Sequence, residues 1–286
     1  MSKSALLKSS IAKKYWMALT GLFLCTFLIG HLIGNLQLIF IWGEEGKRAF
    51  NEYAYFMQHN IFIKVLSYVT YISILFHAID GLMLAVQNSK ARPVKYAHNN
   101  PGANSSGASR SMALLGSIIL IFIVTHMVNF WAKMHFSEMP LHTFEIKAPS
   151  GESQRFYHTK TLSAQPIPVD DQIVVKHENQ LYLKEVDLKI GEGYKDLHSV
   201  VMAFFGQSKP GFPANSMALV ATILYVISMA VLGFHLWHGF ASAFQSLGLR
   251  HKRYTNLVKV VGIGFSVIVP FLFAIIPVLI FIGFVK

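Results

Sequence analysis

Apolar residues run almost unbroken over five stretches, Tyr15–Trp42, Ile61–Val86, Met112–Phe136, Ala214–Phe244 and Leu257–Val285. Each is long enough to cross a hydrocarbon core, which takes roughly 20 helical residues. They lack the alternation of barrel strands, so they predict membrane-spanning α-helices. Between them the pattern shortens. In Glu44–Asn60, Ala49, Phe50, Tyr53, Phe56 and Met57 recur at helical spacing, while Glu44, Glu45, Lys47 and Glu52 face away. That predicts a short amphipathic helix lying in the membrane interface. The longest connection, Ser137–Pro213, alternates instead. Strands are expected at Thr143–Lys147, Arg155–Leu162, Gln172–His177 and Leu181–Ile190, with turns at the PSGE from Pro149 and the ENQ from Glu178. Tyr194–Gly206 then reads as a helix with Leu197, Val200, Val201, Phe204 and Phe205 on one face. The expected fold is an all-α membrane protein of five spans with a small β-rich insertion between the third and fourth. Its segments are residues 1–136, 137–213 and 214–286.

Composition agrees, with 53% hydrophobic and 14% charged residues among 286. The net charge of +11 is a matter of placement rather than of nucleic-acid binding. Met1–Lys14, Gln87–Ser111 and Leu247–Thr255 carry Lys and Arg and no acid. The other two connections hold every carboxylate except Asp80. By the positive-inside rule this predicts a cytoplasmic N-terminus and an extracytoplasmic C-terminus. The first run is too long for a signal peptide and lacks a small-residue cleavage pattern, so it is expected to be retained. Cys25, the single cysteine, is a small buried apolar residue. His142, His158, His177 and His198 lack metal-ligand spacing and are expected at the surface.

The spans themselves carry costly polar groups, and each asks for a partner. Four of them hold one deep histidine each: His31, His77, His126 and His235. At a rise of about 1.5 Å per residue, His77 and His235 lie roughly 14–18 Å from the inner ends, and His31 and His126 roughly 21–24 Å. Two depth classes, each drawn from two helices, are what two stacked bis-imidazole haems require. His77 and His235 would hold the inner iron, and His31 and His126 the outer one. Both axial positions would then be filled, which suits electron transfer. Gly239, four residues after His235, would give the inner haem clearance. His238 offers a hydrogen bond to a propionate or to a neighbouring helix. Asp80 is the one carboxylate in a span, with cofactor contact or proton handling as its candidate role. The last span, with Pro270 and Pro277, is a packing helix.

The segments MALTGLFLCTFLIGHLIGNLQL, SILFHAIDGLMLAVQN, KARPVKY, IFIVTHMVNFW and GFHLWHGFASAFQSLG succeed one another in this order along the chain. Together they resemble the single-chain, five-helix, dihaem cytochrome b anchor of succinate:quinone oxidoreductases, the class of succinate dehydrogenase and fumarate reductase. The resemblance implies haem ligation by His31, His77, His126 and His235, in agreement with the depth classes. It also implies a flavoprotein (FAD) subunit and an iron–sulfur subunit on the cytoplasmic face. Electrons would pass between them and a membrane quinone, menaquinone in most dihaem members, within a bacterial cytoplasmic membrane. The chain has no FAD or iron–sulfur motif, so succinate chemistry lies outside it. The glutamate that some relatives place just before the fourth ligand is missing here, where Leu232, Gly233 and Phe234 stand. Candidate quinone contacts are Asn35, Gln37, Asn129 and Trp131 on the outer side, with Asp80 and His238 as the inner alternative. Two other classes fit the pattern: a cytochrome b anchor of a hydrogenase or formate dehydrogenase, and a transporter relaying protons through its histidines and Asp80.

Overall fold

The structure, a computed structural model, describes residues 9–91, 100–149, 151–160 and 166–285. The basic tail up to Lys8, most of KARPVKY, Ser150 of the PSGE turn and the end of the second expected strand lie outside the described residues. Five helices are long and apolar enough to span a membrane: α1 (Ser10–Phe40), α3 (Ile61–Lys90), α4 (Met112–Phe136), α6 (Ala218–Ser246) and α7 (Thr255–Phe281). Between them lie α2 (Gly43–His59) and α5 (Leu197–Phe204). The chain divides into two compact units. One comprises Met1–Ile33, Lys64–Val124 and Ile223–Ile275; the other comprises Gly34–Ile63, Thr125–Thr222 and Ile276–Lys286.

Helix ends differ from the apolar runs where a polar side chain intervenes. The fourth span starts at Ala218 rather than Ala214 because Asn215 holds the turn before it. The Asn215 side-chain oxygen accepts from the Met217 N–H at 3.0 Å, and the Asn215 backbone N–H donates to the Ala203 carbonyl at 2.9 Å. In α4 the regular ladder gives way to a π-helical stretch, Met127–Ala132, immediately after His126. Such a stretch adds a residue to the turn and re-aims the side chains beyond it.

The insertion holds two antiparallel three-stranded sheets. The first orders β1 (Thr143–Lys147), β2 (Ser153–Tyr157) and β3 (Ile167–Pro168); the second orders β4 (Ile173–Lys176), β5 (Gln180–Leu183) and β6 (Leu188–Glu192). The β4–β5 turn puts His177 and Glu178 at φ of 48° and 72°, the left-handed pair that a tight hairpin needs. Asp187, at φ 49°, turns the chain between β5 and β6, splitting the single strand expected over Leu181–Ile190. Leu141, Ile167 and Leu181 form a small apolar core.

Two expectations fail here for one reason. Part of the polar side of α2 does not face away. Lys47 and Asn51, with Glu52 at the edge, dock on the insertion, while Glu44 and Glu45 stay exposed as expected. Lys47 pairs with Asp196 at 3.0 Å, with only 13% and 3% of their side chains exposed. Asn51 donates to Asp196 at 3.0 Å and accepts the His198 N–H at 2.9 Å. The His158 Nε2 meets Glu52 at 2.9 Å, and Glu44 lies 3.7 Å from His142. Of the histidines expected at the surface, His142 and His198 are therefore buried, and the His158 side chain is largely covered. A buried carboxylate needs partners, and α2 supplies them to Asp196. It meets His158 through Glu52 and His198 only at the backbone N–H, leaving the Nδ1 of His198 and of His142 without a hydrogen bond among the described residues.

This network carries an acid dependence. Burial pushes His198 from its ordinary 6.5 down to about 4, against the opposing pull of Asp196. Burial lowers His158 too, opposed by its bond to Glu52. Histidines with depressed folded values stabilise fully above the unfolded value, and the gain is lost as pH falls from there towards the folded one. Between pH 7 and about pH 5 the unit should lose stability on the order of 2 kcal/mol through His198 alone. Thermal melting followed by near-ultraviolet circular dichroism at the two pH values checks this, and the loss should shrink in His198→Asn.

Gly34 has a local task. A Cβ there would stand 2.6 Å from the Tyr53 ring, a distance that packing forbids. Of the two glycines beside His31, Gly34 thus serves the approach of α2, whereas a Cβ on Gly30 would meet nothing within 4 Å. Gly34→Ala should lower the melting temperature, by an overpacking cost of roughly 1–3 kcal/mol, while Gly30→Ala should leave it unchanged.

Candidate functional site

α1, α3 and α6 bring His77 and His235 together. Their ring centroids lie 6.1 Å apart with the planes at 70°. The Nδ1 of His77 lies 3.1 Å from the Met17 carbonyl and 3.3 Å from the Thr20 hydroxyl. That hydroxyl donates to the Trp16 carbonyl at 2.8 Å. A carbonyl only accepts, so the His77 proton sits on Nδ1 and its Nε2 lone pair is left free. Thr20, at 8% exposure, holds this arrangement inside the helix pair. Gly21 makes room for it: a Cβ there would stand 3.1 Å from the His77 Cε1. Gly21 does not stand out in the sequence as part of a site, although it sits one position after Thr20 on a helix otherwise rich in bulky residues. Gly239 has a looser setting, since a Cβ there would meet only the end of Met112 at 3.8 Å.

The Nδ1 of His235 is buried and has no hydrogen-bond partner among the described residues. Leaving a buried polar atom unmet costs about 1–3 kcal/mol, so the ring is short of one interaction. Asp80, three residues after His77 on α3, forms no hydrogen bond or ion pair among the described residues.

His31 belongs to the same unit and lies between Phe27 and Phe273, with ring centroids at 5.4 and 5.6 Å. His126 belongs to the other unit, against Phe130 at 5.3 Å. Asn129 and Trp131 fall in the π-helical stretch of α4, where Trp131 stacks on His135 at 4.5 Å. Asn35 and Gln37 lie in the last turns of α1. His238 is on α6 below His235, beside Trp237, Ser242 and Gln245.

The inner pair has the ring spacing that two imidazoles sharing one metal would show. An imidazole nitrogen binds a first-row metal at about 2 Å and lies about 1 Å from its own ring centre, so opposed axial rings have centres roughly 6 Å apart. The observed 6.1 Å matches. A ligating histidine also donates its other N–H to a carbonyl or similar acceptor, as His77 does to Met17. Among the described residues no three His, Cys, Asp or Glu side chains converge as a cage for a bare ion. Two imidazoles alone would leave the remaining positions of a metal held here to be filled by its own macrocycle. Gly21→Val should push the His77 ring aside and cost this haem, whereas Gly21→Ala should retain it with a shifted spectrum; absorbance per chain of the purified protein reads both.

No protein-family model, curated protein or solved structure matches the chain.

Proposed function

We propose that this chain is the membrane-anchor cytochrome b subunit of a succinate dehydrogenase or fumarate reductase, carrying electrons between a cytoplasmic flavoprotein and iron–sulfur pair and membrane quinone. The observation that carries the reading is the 6.1 Å spacing of His77 and His235, two imidazoles from different membrane-spanning helices. The ordered set of histidine-bearing segments along the chain supports it as a whole. In this reading His77 and His235 hold one haem b, and His31 and His126 hold a second. Held by these histidines, each haem would supply a one-electron couple suited to electron transfer. The protein's part is to fix and dry the ligands. Met17 and Thr20 set the tautomer of His77, and Phe27 and Phe273 flank His31. The acid-free connections Gln87–Ser111 and Leu247–Thr255 supply a basic surface for the soluble partners, on the cytoplasmic side of a bacterial membrane by the positive-inside rule.

A reduced-minus-oxidised spectrum of the purified chain tests the redox reading. Two low-spin b haems are expected, and a chain with neither is no cytochrome. Copurification with FAD- and iron–sulfur-bearing chains, and reduction of the haems by succinate, tests the assignment to this complex. Reduction by hydrogen or formate instead would reassign the anchor.

A further inference from the structure

Ring contacts run without a break from His126 of α4 into the insertion. His126 meets Phe130 edge-on, with ring centroids 5.3 Å apart. Phe130 meets Phe204 of α5 at 5.1 Å, and Phe205, just beyond α5, at 6.4 Å. All of them belong to one compact unit. Phe130 also packs on the buried cluster of Met134, Met139 and Val200, beside Leu197. A polar contact holds the last turn of α4 from the same side. The Lys195 ammonium donates to the Met134 carbonyl at 2.8 Å and pairs with Glu178 at 2.7 Å.

The π-helical stretch Met127–Ala132 gives these contacts their meaning. A regular helix turns by roughly 100° per residue, so one extra residue wound into the ladder swings everything beyond it by about that angle. His126 stands before the stretch, Phe130 within it and Met134 after it. The direction of His126 and the seating of the helix end on α5 are therefore set separately. Such stretches are rare and occur mostly at functional sites. Here it lets one side chain touch the His126 ring and the α5 rings at once. The outer torsion of a histidine side chain is soft, so the plane of its ring is set by what lies against it. An edge-on aromatic ring is a neighbour of defined geometry.

We propose that the insertion is a clamp on His126, with Phe130 as the positioning residue that carries the placement of α5 to the imidazole plane. This gives Ser137–Pro213 a task. Lys47 and Asn51 hold Asp196, Asp196 caps α5, and α5 keeps Phe130 against the ring. The inference rests on His126 being an axial ligand in the reading above, because contacts that orient a ligating ring tune the metal it holds.

The test uses the purified chain, with any copurifying subunits, in phosphatidylcholine nanodiscs. Phe130→Leu and Phe204→Leu remove a ring and keep most of the apolar volume, whereas Phe130→Ala removes both. Low-spin electron paramagnetic resonance reads the angle between the two imidazole planes on each iron. The signal that His126→Ala abolishes should shift in Phe204→Leu and Phe130→Leu, and shift further in Phe130→Ala. The signal that His235→Ala abolishes should stay in place in all three, which a general loosening of the fold would not allow. A shift of both signals alike, or of neither in the two Phe130 variants, overturns the clamp. Ring-nitrogen magnetic resonance of isotope-labelled histidine in the dithionite-reduced, diamagnetic chain reads the same imidazole with or without haem, and His126→Gln marks its resonance. A His126 resonance that moves in Phe130→Leu in a chain without haem leaves the clamp standing and removes the redox reading. Two haems with a His126 resonance that no variant moves do the reverse.

Discussion

Replacing His235 with alanine is expected to strip one haem from the purified chain and leave the other with its spectrum intact. The reason lies in the pairing. In the proposed reading one metal would be shared by His235 and His77, whose ring centroids lie 6.1 Å apart, so removing either ring would leave it a single imidazole. A haem held from one side is bound far more weakly and goes high-spin. His77→Ala should therefore lose the same haem as His235→Ala. His31→Ala and His126→Ala should lose the other. Haem per chain from the pyridine haemochrome, with low-spin electron paramagnetic resonance signals to identify which centre remains, reads all four variants. If His31→Ala and His235→Ala removed the same centre, the pairing by depth would be wrong. Thr20→Val is a graded control. It takes away one of the two acceptors on the His77 Nδ1 and leaves the Met17 carbonyl. Loss of such a supporting contact costs 10- to 100-fold in metal affinity at most, so this variant should keep both haems and bind the inner one less tightly.

The spans were legible because length and apolarity suffice to specify a membrane helix. The closeness of His77 and His235 was legible for a related reason. A helix converts residue count into distance, so depth can be read from position alone. What failed to show was whatever depended on contacts between distant segments. MVNFWA carries no Pro, Gly pair or other marker of a π-helical stretch, so the re-aiming of Asn129 and Trp131 after His126 could not be foreseen. In α2 the periodicity was right and its partner was not. Lys47, Asn51 and Glu52 form a polar face, and a polar face in sequence looks the same whether water or a complementary buried surface covers it. His142, His158 and His198 were misjudged accordingly, since spacing along strands says nothing about which helix lies over them, whereas His177 is exposed as expected. One local signal was present. In Asp196-Leu-His-Ser the aspartate stands where a helix N-cap belongs, and its side chain accepts the Ser199 N–H at 3.1 Å.

Asp196 is the residue on which that docking converges, and its removal should be the most destabilising single change in its unit. Its side chain is 3% exposed and answers Lys47, Asn51 and the Ser199 N–H together. Burial by itself would raise its pKa. Lys47 and the hydrogen bonds from Asn51, Ser199 and Lys47 outweigh burial and hold the carboxyl below the usual carboxylate range. Asp196→Ala leaves Lys47 buried without its counter-charge, the Asn51 amide without an acceptor and α5 without its cap. Breaking a buried pair from one side costs about 3–5 kcal/mol, enough to open α5 and the sheets beside it. Asp196→Asn should cost less, because the amide oxygen still caps the helix and accepts from Asn51, while the ammonium of Lys47 stays uncompensated. Lys47→Met in the Asp196→Asn background should recover part of the loss, since the unpaired charge is then gone. Hydrogen exchange of the α5 amides and thermal melting read the series. A lowered carboxylate stabilises above its unfolded pKa and loses that gain as pH falls through the folded value, so the penalty of Asp196→Ala should be full at neutral pH and fade only in strong acid. Equal stability of Asp196→Ala and the parent at neutral pH would mean that the helix-to-insertion contact is held by apolar packing alone, with Phe50 against His198 as its remaining anchor.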